Sequence, residues 1–184
     1  TANAGAVYVF VRSDGIWSEQ AYLKAASTNT FDSFGFSVAL SGDTLAVGIP
    51  FDDGVATDSG AAYVFERNDT TWTQQAYIKA SNAGKSDTFG KSISLSGDVL
   101  AIGARNEDTN NPGINPLANQ AAKNFGAVYV HKRSGSAWSE QYFIKASTTV
   151  SGDEFGHSVA LAGDTIAVGV PLENTKAGAV YIFE

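Results

Sequence analysis

One passage is written three times in this chain, and that repetition limits its folds more than any other feature. FGFSVALSGDTLAVGIPFDDG begins at Phe34, FGKSISLSGDVLAIGARNED at Phe89 and FGHSVALAGDTIAVGVPLEN at Phe155. Other strings recur in step with it. GAVYVF at Gly5 returns as GAAYVF at Gly60, GAVYVH at Gly126 and GAVYIF at Gly178. Trp17, Trp72 and Trp138 follow the first three of these, and AYLKA, AYIKA and YFIKA close the units at Ala25, Ala80 and Ala146. From Gly5 to Gly60 is 55 residues and from Gly60 to Gly126 is 66, so the second interval carries 11 more. A fixed period of this size marks stacked supersecondary units that bury their apolar faces against one another.

Each unit breaks into four short β-prone runs separated by turn signals. Over residues 34–80 these are FGFSVALS, TLAVGIP, AAYVFER and TWTQQAYIKA. Ser41-Gly42-Asp43 joins the first two as a tight hairpin, and Arg67-Asn68-Asp69-Thr70 joins the last two. TLAVG, VLAIG and TIAVG are apolar on both faces, which predicts strands enclosed between sheets. The Trp run alternates, with Trp72, Ala76 and Ile78 on one face and Thr73, Gln75 and Lys79 on the other, as an outer strand should. No segment holds a helical period. The chain is therefore expected to be all-β, built of four-stranded antiparallel blades of a β-propeller.

At these residues the chain resembles the FG-GAP repeats of integrin α-chain propellers and of bacterial secreted and surface proteins. Phe34-Gly35, Phe89-Gly90 and Phe155-Gly156 match the FG element; Gly48-Ile49-Pro50 and Gly169-Val170-Pro171 match GAP loosely, and Gly103-Ala104-Arg105 lacks the Pro. The resemblance implies a propeller, an extracellular or cell-surface setting, and adhesion or ligand binding without catalysis. It departs from the integrin pattern at the first hairpin, where a DxDxDG calcium loop would stand. Ser41-Gly42-Asp43, Ser96-Gly97-Asp98 and Ala162-Gly163-Asp164 each offer one carboxylate, against the about six to eight oxygens that calcium takes.

Strand counting gives a single array over 1–184. Residues 1–30 hold the third and fourth strands of a first blade, 31–81 and 86–147 two whole blades, and 153–184 strands one to three of a last. Such an array falls short of the about four to eight blades of a ring. The opening at Thr1 and the absence of Met fit a processed or excised piece of a larger propeller. The rival expectation is a structural subunit whose terminal strands pair with other copies into a ring or filament, a homo-oligomer.

Composition removes several function classes. A net charge of −7 and a pI near 4.7 speak against nucleic acid and anionic membranes as partners. No apolar run reaches the about 18–20 residues of a spanning helix, so membrane insertion is not expected. The short basic run His131-Lys132-Arg133 reads as a solvated strand end. With no Cys there are no disulfides or thiolate sites. His131 and His157 lack a recurring Ser or carboxylate partner, and no GxSxG or HExxH pattern occurs, so no catalytic residues are assigned.

Strand direction collects the remaining candidates at one end of the blades, the top. Asp32, Asp87 and Asp153 precede the FG Phe by two residues; Asp52, Glu107 and Glu173 follow the VG element, beside Asp53, Asp108 and Asn174. A carboxylate rim of this kind suits a divalent cation or sugar hydroxyls, with Asp52, Asp53 and Asp58 the best calcium set. The competing reading is that these side chains close Asx-turns, which recurrence in every unit favours. The long loop 105–125 offers Asn110, Asn111, Asn115, Asn119 and Gln120 for a protein or glycan ligand. Lectin-like binding would need an exposed aromatic beside the acids. The three Trp are expected between blades, and Lys24, Lys79 and Lys145 as solvated edge charges.

Overall fold

The structure is a computed structural model and describes residues 4–26, 31–119, 123–148 and 150–184. Gln120 of the long loop lies outside the described residues. Thirteen strands form four antiparallel sheets among the described residues. The first sheet pairs β1 (Val7–Ser13) with β2 (Ile16–Leu23). The second runs β3 (Ser37–Ser41), β4 (Thr44–Ile49), β5 (Ala61–Asn68) and β6 (Thr71–Ile78) in order. The third repeats it with β7 (Ser92–Ser96), β8 (Val99–Ala104), β9 (Ala127–Ser134) and β10 (Ala137–Ile144). The last holds β11 (Ser158–Ala162), β12 (Thr165–Val170) and β13 (Ala179–Phe183). Between β12 and β13 stands one left-handed turn, α1 (Glu173–Lys176), with positive φ at Asn174, Thr175 and Lys176.

The all-β expectation holds: these are propeller blades of an incomplete ring, with no closed barrel. Their cores lie between sheets rather than within them. Val7, Val9 and Leu23 of the first sheet pack on Phe34, Val47, Tyr63 and Phe65 of the second. Ala62, Val64 and Ile78 meet Phe89, Leu100, Ile102 and Tyr129 of the third. Val128, Val130 and Ile144 then meet Phe155, Ile166 and Val168 of the last. All six residues of β4 are buried, which explains its unbroken apolar sequence.

Every fourth strand is bulged at one position. Pairing skips Gln20 between β1 and β2, Gln75 between β5 and β6, and Gln141 between β9 and β10. The extra residue shifts the phase of all that follows it in the strand. Lys79 and Lys145 are therefore not on the solvent face that simple alternation assigns them.

Candidate functional site

The two halves of the copied passage meet across blades. The Gly that opens the third strand forms a parallel bridge with the FG Phe of the next unit at three places, Gly5–Phe34, Gly60–Phe89 and Gly126–Phe155. At Gly60, φ is +83 and a Cβ would fall 2.1 Å from the Phe89 carbonyl oxygen, so only Gly fits. Ser37 Oγ donates to the Gly90 carbonyl at 2.7 Å, and Ser92 Oγ to that of Gly156 at 2.8 Å. The FG passage is thus a blade-to-blade joint.

Two further joints use polar side chains. Trp72 Nε1 donates to Gln20 Oε1 at 3.0 Å, and Trp138 Nε1 to Gln75 Oε1 at 2.8 Å. The acceptor is each time the bulged Gln of the preceding blade. At the opposite end from the acids, Arg67 Nε donates to Asp43 and Arg133 Nε to Asp98, both at 2.7 Å. The carboxylate of the Ser-Gly-Asp hairpin is therefore held by an arginine at the end of the third strand. The expected solvated basic run is corrected here. His131 is buried against Phe89 where other units carry Phe, and Arg133 is ion-paired, leaving Lys132 exposed.

The top-face acids are largely internal. Asp32, Asp52, Asp87, Glu107 and Asp153 are buried, Glu173, Asp58 and Asp108 partly so, and Asp53 exposed. Asp52 Oδ1 accepts from the Gly54 amide at 2.8 Å, from the Tyr77 hydroxyl at 2.8 Å, and from Lys79 Nζ. Burial and this hydrogen bond push the Tyr77 phenol far up. Glu107 Oε2 accepts from Lys145 Nζ at 2.5 Å and Oε1 from Asn82 Nδ2 at 2.8 Å, while the Tyr129 hydroxyl donates to Asn82 at 2.6 Å. Burial pulls the Lys145 ammonium below its ordinary value, with Glu107 acting against it. The reading of Lys79 and Lys145 as solvated charges is thus corrected: with Lys145 only 1% exposed, they neutralise the acids of their own blades.

The remaining carboxylates close loops. Asp53 Oδ1 accepts from the Asp58 amide at 2.8 Å, and Asp108 Oδ1 from the Asn124 amide at 2.9 Å. Asp87 Oδ2 accepts from the Gly84 amide at 2.6 Å, and its Oδ1 is buried with no partner among the described residues. Burial, with Glu107 and Asp108 close by, raises the Asp87 carboxyl to about 7. Burial and Glu173 raise that of Asp153. Asp52, Asp53 and Asp58 do not gather into a cage, and no group of three or more His, Asp or Glu side chains suited to a metal occurs among the described residues.

The long loop turns its carboxamides on itself and on β10. Asn119 Nδ2 donates to Asn110 Oδ1 at 3.0 Å, and Asn111 Nδ2 to the Leu117 carbonyl at 2.8 Å. Asn115 takes the Phe143 amide on its Oδ1 at 2.8 Å and donates its own amide to the Phe143 carbonyl at 2.7 Å. Lys145 N donates to the Gly113 carbonyl at 2.9 Å, and Ile114 forms an antiparallel bridge with Ile144. The insertion covers the outer edge of the third blade.

Neither His is arranged for nucleophilic catalysis. Burial lowers His131 to about 4, and His157 Nδ1 meets Glu154 at 2.9 Å, which also takes Arg105 at 3.0 Å. No hydroxyl bonds to either ring among the described residues.

The repeating joints match a known pattern. The FG-GAP repeat family matches residues 17–65, 72–131 and 138–183. The chain belongs to the FG-GAP repeat family. No curated protein sequence matches it beyond that. FG-GAP repeats occur in adhesion and binding β-propeller proteins, which are generally non-catalytic and typically extracellular. No helix among the described residues is long and apolar enough to cross a membrane. What sequence reasoning missed is the Lys–acid pairing, although the constant seven-residue interval from Trp17 to Lys24, Trp72 to Lys79 and Trp138 to Lys145 signalled it.

Proposed function

We propose that this chain is a non-catalytic, extracellular propeller segment that binds a protein ligand through its top-face loops. The observation that carries the reading is a division between repeated and unrepeated residues. The repeated polar residues are engaged in blade joints, ion pairs and loop closures, whereas four of the loops at the acid end expose a large apolar side chain that the repeat does not require; the loops at 81–88 and 171–178 expose none. Phe31, Val55, Ile114, Leu117 and Val150 are all exposed, Leu117 at 85%. Four of the five are aliphatic, which suits contact with protein rather than with a cation or stacking on a sugar ring; Phe31, beside Asp32, is the one aromatic among them.

The test is a variant of the full chain with Phe31, Val55, Leu117 and Val150 each replaced by Ser. Wild type and variant are compared on immobilised extracellular matrix proteins and on a glycan array. Saturable binding to a protein, lost in the variant at unchanged melting temperature, is expected. Binding to glycans alone, or binding equal in both chains, would refute the reading.

A further inference from the structure

The tip of the β5–β6 hairpin carries a pattern that the repeat does not supply. Asn68-Asp69-Thr70 sets a hydroxyl residue two positions after an asparagine with no proline between, the acceptor pattern for an N-linked oligosaccharide. No other asparagine of the chain is followed in this way by Ser or Thr. The matching tips read Ser13-Asp14-Gly15 and Ser134-Gly135-Ser136. Ser13, Asn68 and Ser134 each pair with the first residue of the next strand, Ile16, Thr71 and Ala137. The fold therefore accepts Ser where Asn68 stands, and Gly or Ser where Thr70 stands. The left-handed residue of the turn is Asp69, with φ +55, so the turn does not require Asn68 either.

The structure leaves this tip open to an enzyme. Asn68, Asp69 and Thr70 are all exposed. The hairpin is anchored at its base, by Arg67 on Asp43 and by Trp72 on Gln20. Beyond that base, the Asn68 carboxamide and the Thr70 hydroxyl bond to no other group among the described residues. The first and third sheets pack on the two faces of the second and leave its tip uncovered. The exposure is thus set by the hairpin itself.

We propose that Asn68 is an N-glycosylation site. The donor is an oligosaccharide carried on a polyprenyl diphosphate, and the catalyst is a membrane oligosaccharyltransferase that meets the exported chain. Asn68 Nδ2 forms a bond to the anomeric carbon, and the bond from that carbon to the diphosphate oxygen breaks. The polyprenyl diphosphate leaves, and the nitrogen gives up one proton to solvent. Thr70 supplies the hydroxyl by which the acceptor is recognised. The proposal rests on the extracellular reading above. The tip lies at the end opposite the acids, so a bulky, solubilising glycan there leaves the top-face loops free.

The test sends the full chain, behind a cleavable export signal, through cells that carry this transferase. Intact-mass and tandem mass spectrometry then read the secreted protein. One added oligosaccharide is expected, on the peptide that holds Asn68, and an N-glycan amidase should release it. Asn68→Gln and Thr70→Ala should each abolish it, Thr70→Ser should retain it, and Thr71→Ala should leave it unchanged. A secreted, folded chain without the glycan would overturn the proposal and leave the extracellular reading intact. So would a glycan that survives Asn68→Gln. Folded chain held inside the cell, with Asn68 or with Gln in its place, would overturn the extracellular reading and the proposal with it.

Discussion

Lys145 Nζ lies 2.5 Å from Glu107 Oε2, and neither side chain reaches solvent. A fully enclosed ion pair needs each partner, because either charge left alone is a buried unpaired ion. Lys145→Met is expected to destabilise the chain by about 3–5 kcal/mol. The double variant Lys145→Met, Glu107→Leu should recover most of that loss. Urea unfolding of the full chain measures both. Equal losses in the single and double variants would mean that the pair is not coupled.

Trp72 and Trp17 occupy the same repeat position in different surroundings, at 9% and 65% exposure. Trp72→Phe removes the indole N–H from Gln20 and shrinks a packed ring, an expected loss of about 1–2 kcal/mol. Trp17→Phe should fall within about 0.5 kcal/mol of wild type. The two melting curves provide the comparison.

His131 and Asp87 give opposite pH dependences. His131 falls to about 4 in the fold, so the folded state resists its protonation. Its neutral form supports full stability above the unfolded pKa near 6.5, and up to about 3 kcal/mol is lost as pH falls towards 4. Asp87 rises to about 7, so the fold favours its protonated form. Stability from that group is complete below about 4, and up to about 4 kcal/mol is lost as pH rises through 7. Between about pH 4 and 6.5 the two trends oppose each other. His131→Phe should therefore expose a fall in stability with rising pH, and Asp87→Asn a rise, when unfolding is followed across that range.

Asn115 fixes the inserted loop to the outer strand through both hydrogen bonds to Phe143. Asn115→Ala should cost about 0.5–1.5 kcal/mol. Removing residues 110–118 should leave the blades folded and bare the edge of β10, so that the shortened chain self-associates more readily. Light scattering over a concentration series would detect it; an unchanged mass at all concentrations would argue against an edge-covering role.

The strands and their hairpins were legible because apolar patterning and turn residues act locally. The placement of Trp72 and Trp138 between blades followed from alternation alone, since both precede the bulge in their strands; Trp17, expected between blades as well, is 65% exposed on the outer face of the first sheet. Lys79 and Lys145 follow it, and one extra residue at Gln75 or Gln141 reverses the face that alternation assigns. The acids illustrate a different limit. Asp52 and Asp87 look like a rim in sequence because recurrence does not report burial; the Gly84 amide that Asp87 accepts is a local loop closure, whereas Lys79 reaches Asp52 from 27 residues away by packing within the blade. Asn115 is a further case, bonded to Phe143, 28 residues on.

The central claim is that the copied passage joins blades, and hydrogen exchange at two amides tests it most directly. Phe89 N donates to the Ser59 carbonyl at 3.1 Å, and Phe155 N to that of Phe125 at 3.2 Å, each across a blade boundary. The account predicts that these amides exchange as slowly as those inside β4 and β8, because the joints open only when the array unfolds. Exchange as fast as at the exposed hairpin tips Asp69 and Gly135 would contradict it, and would show that the blades separate while each remains folded.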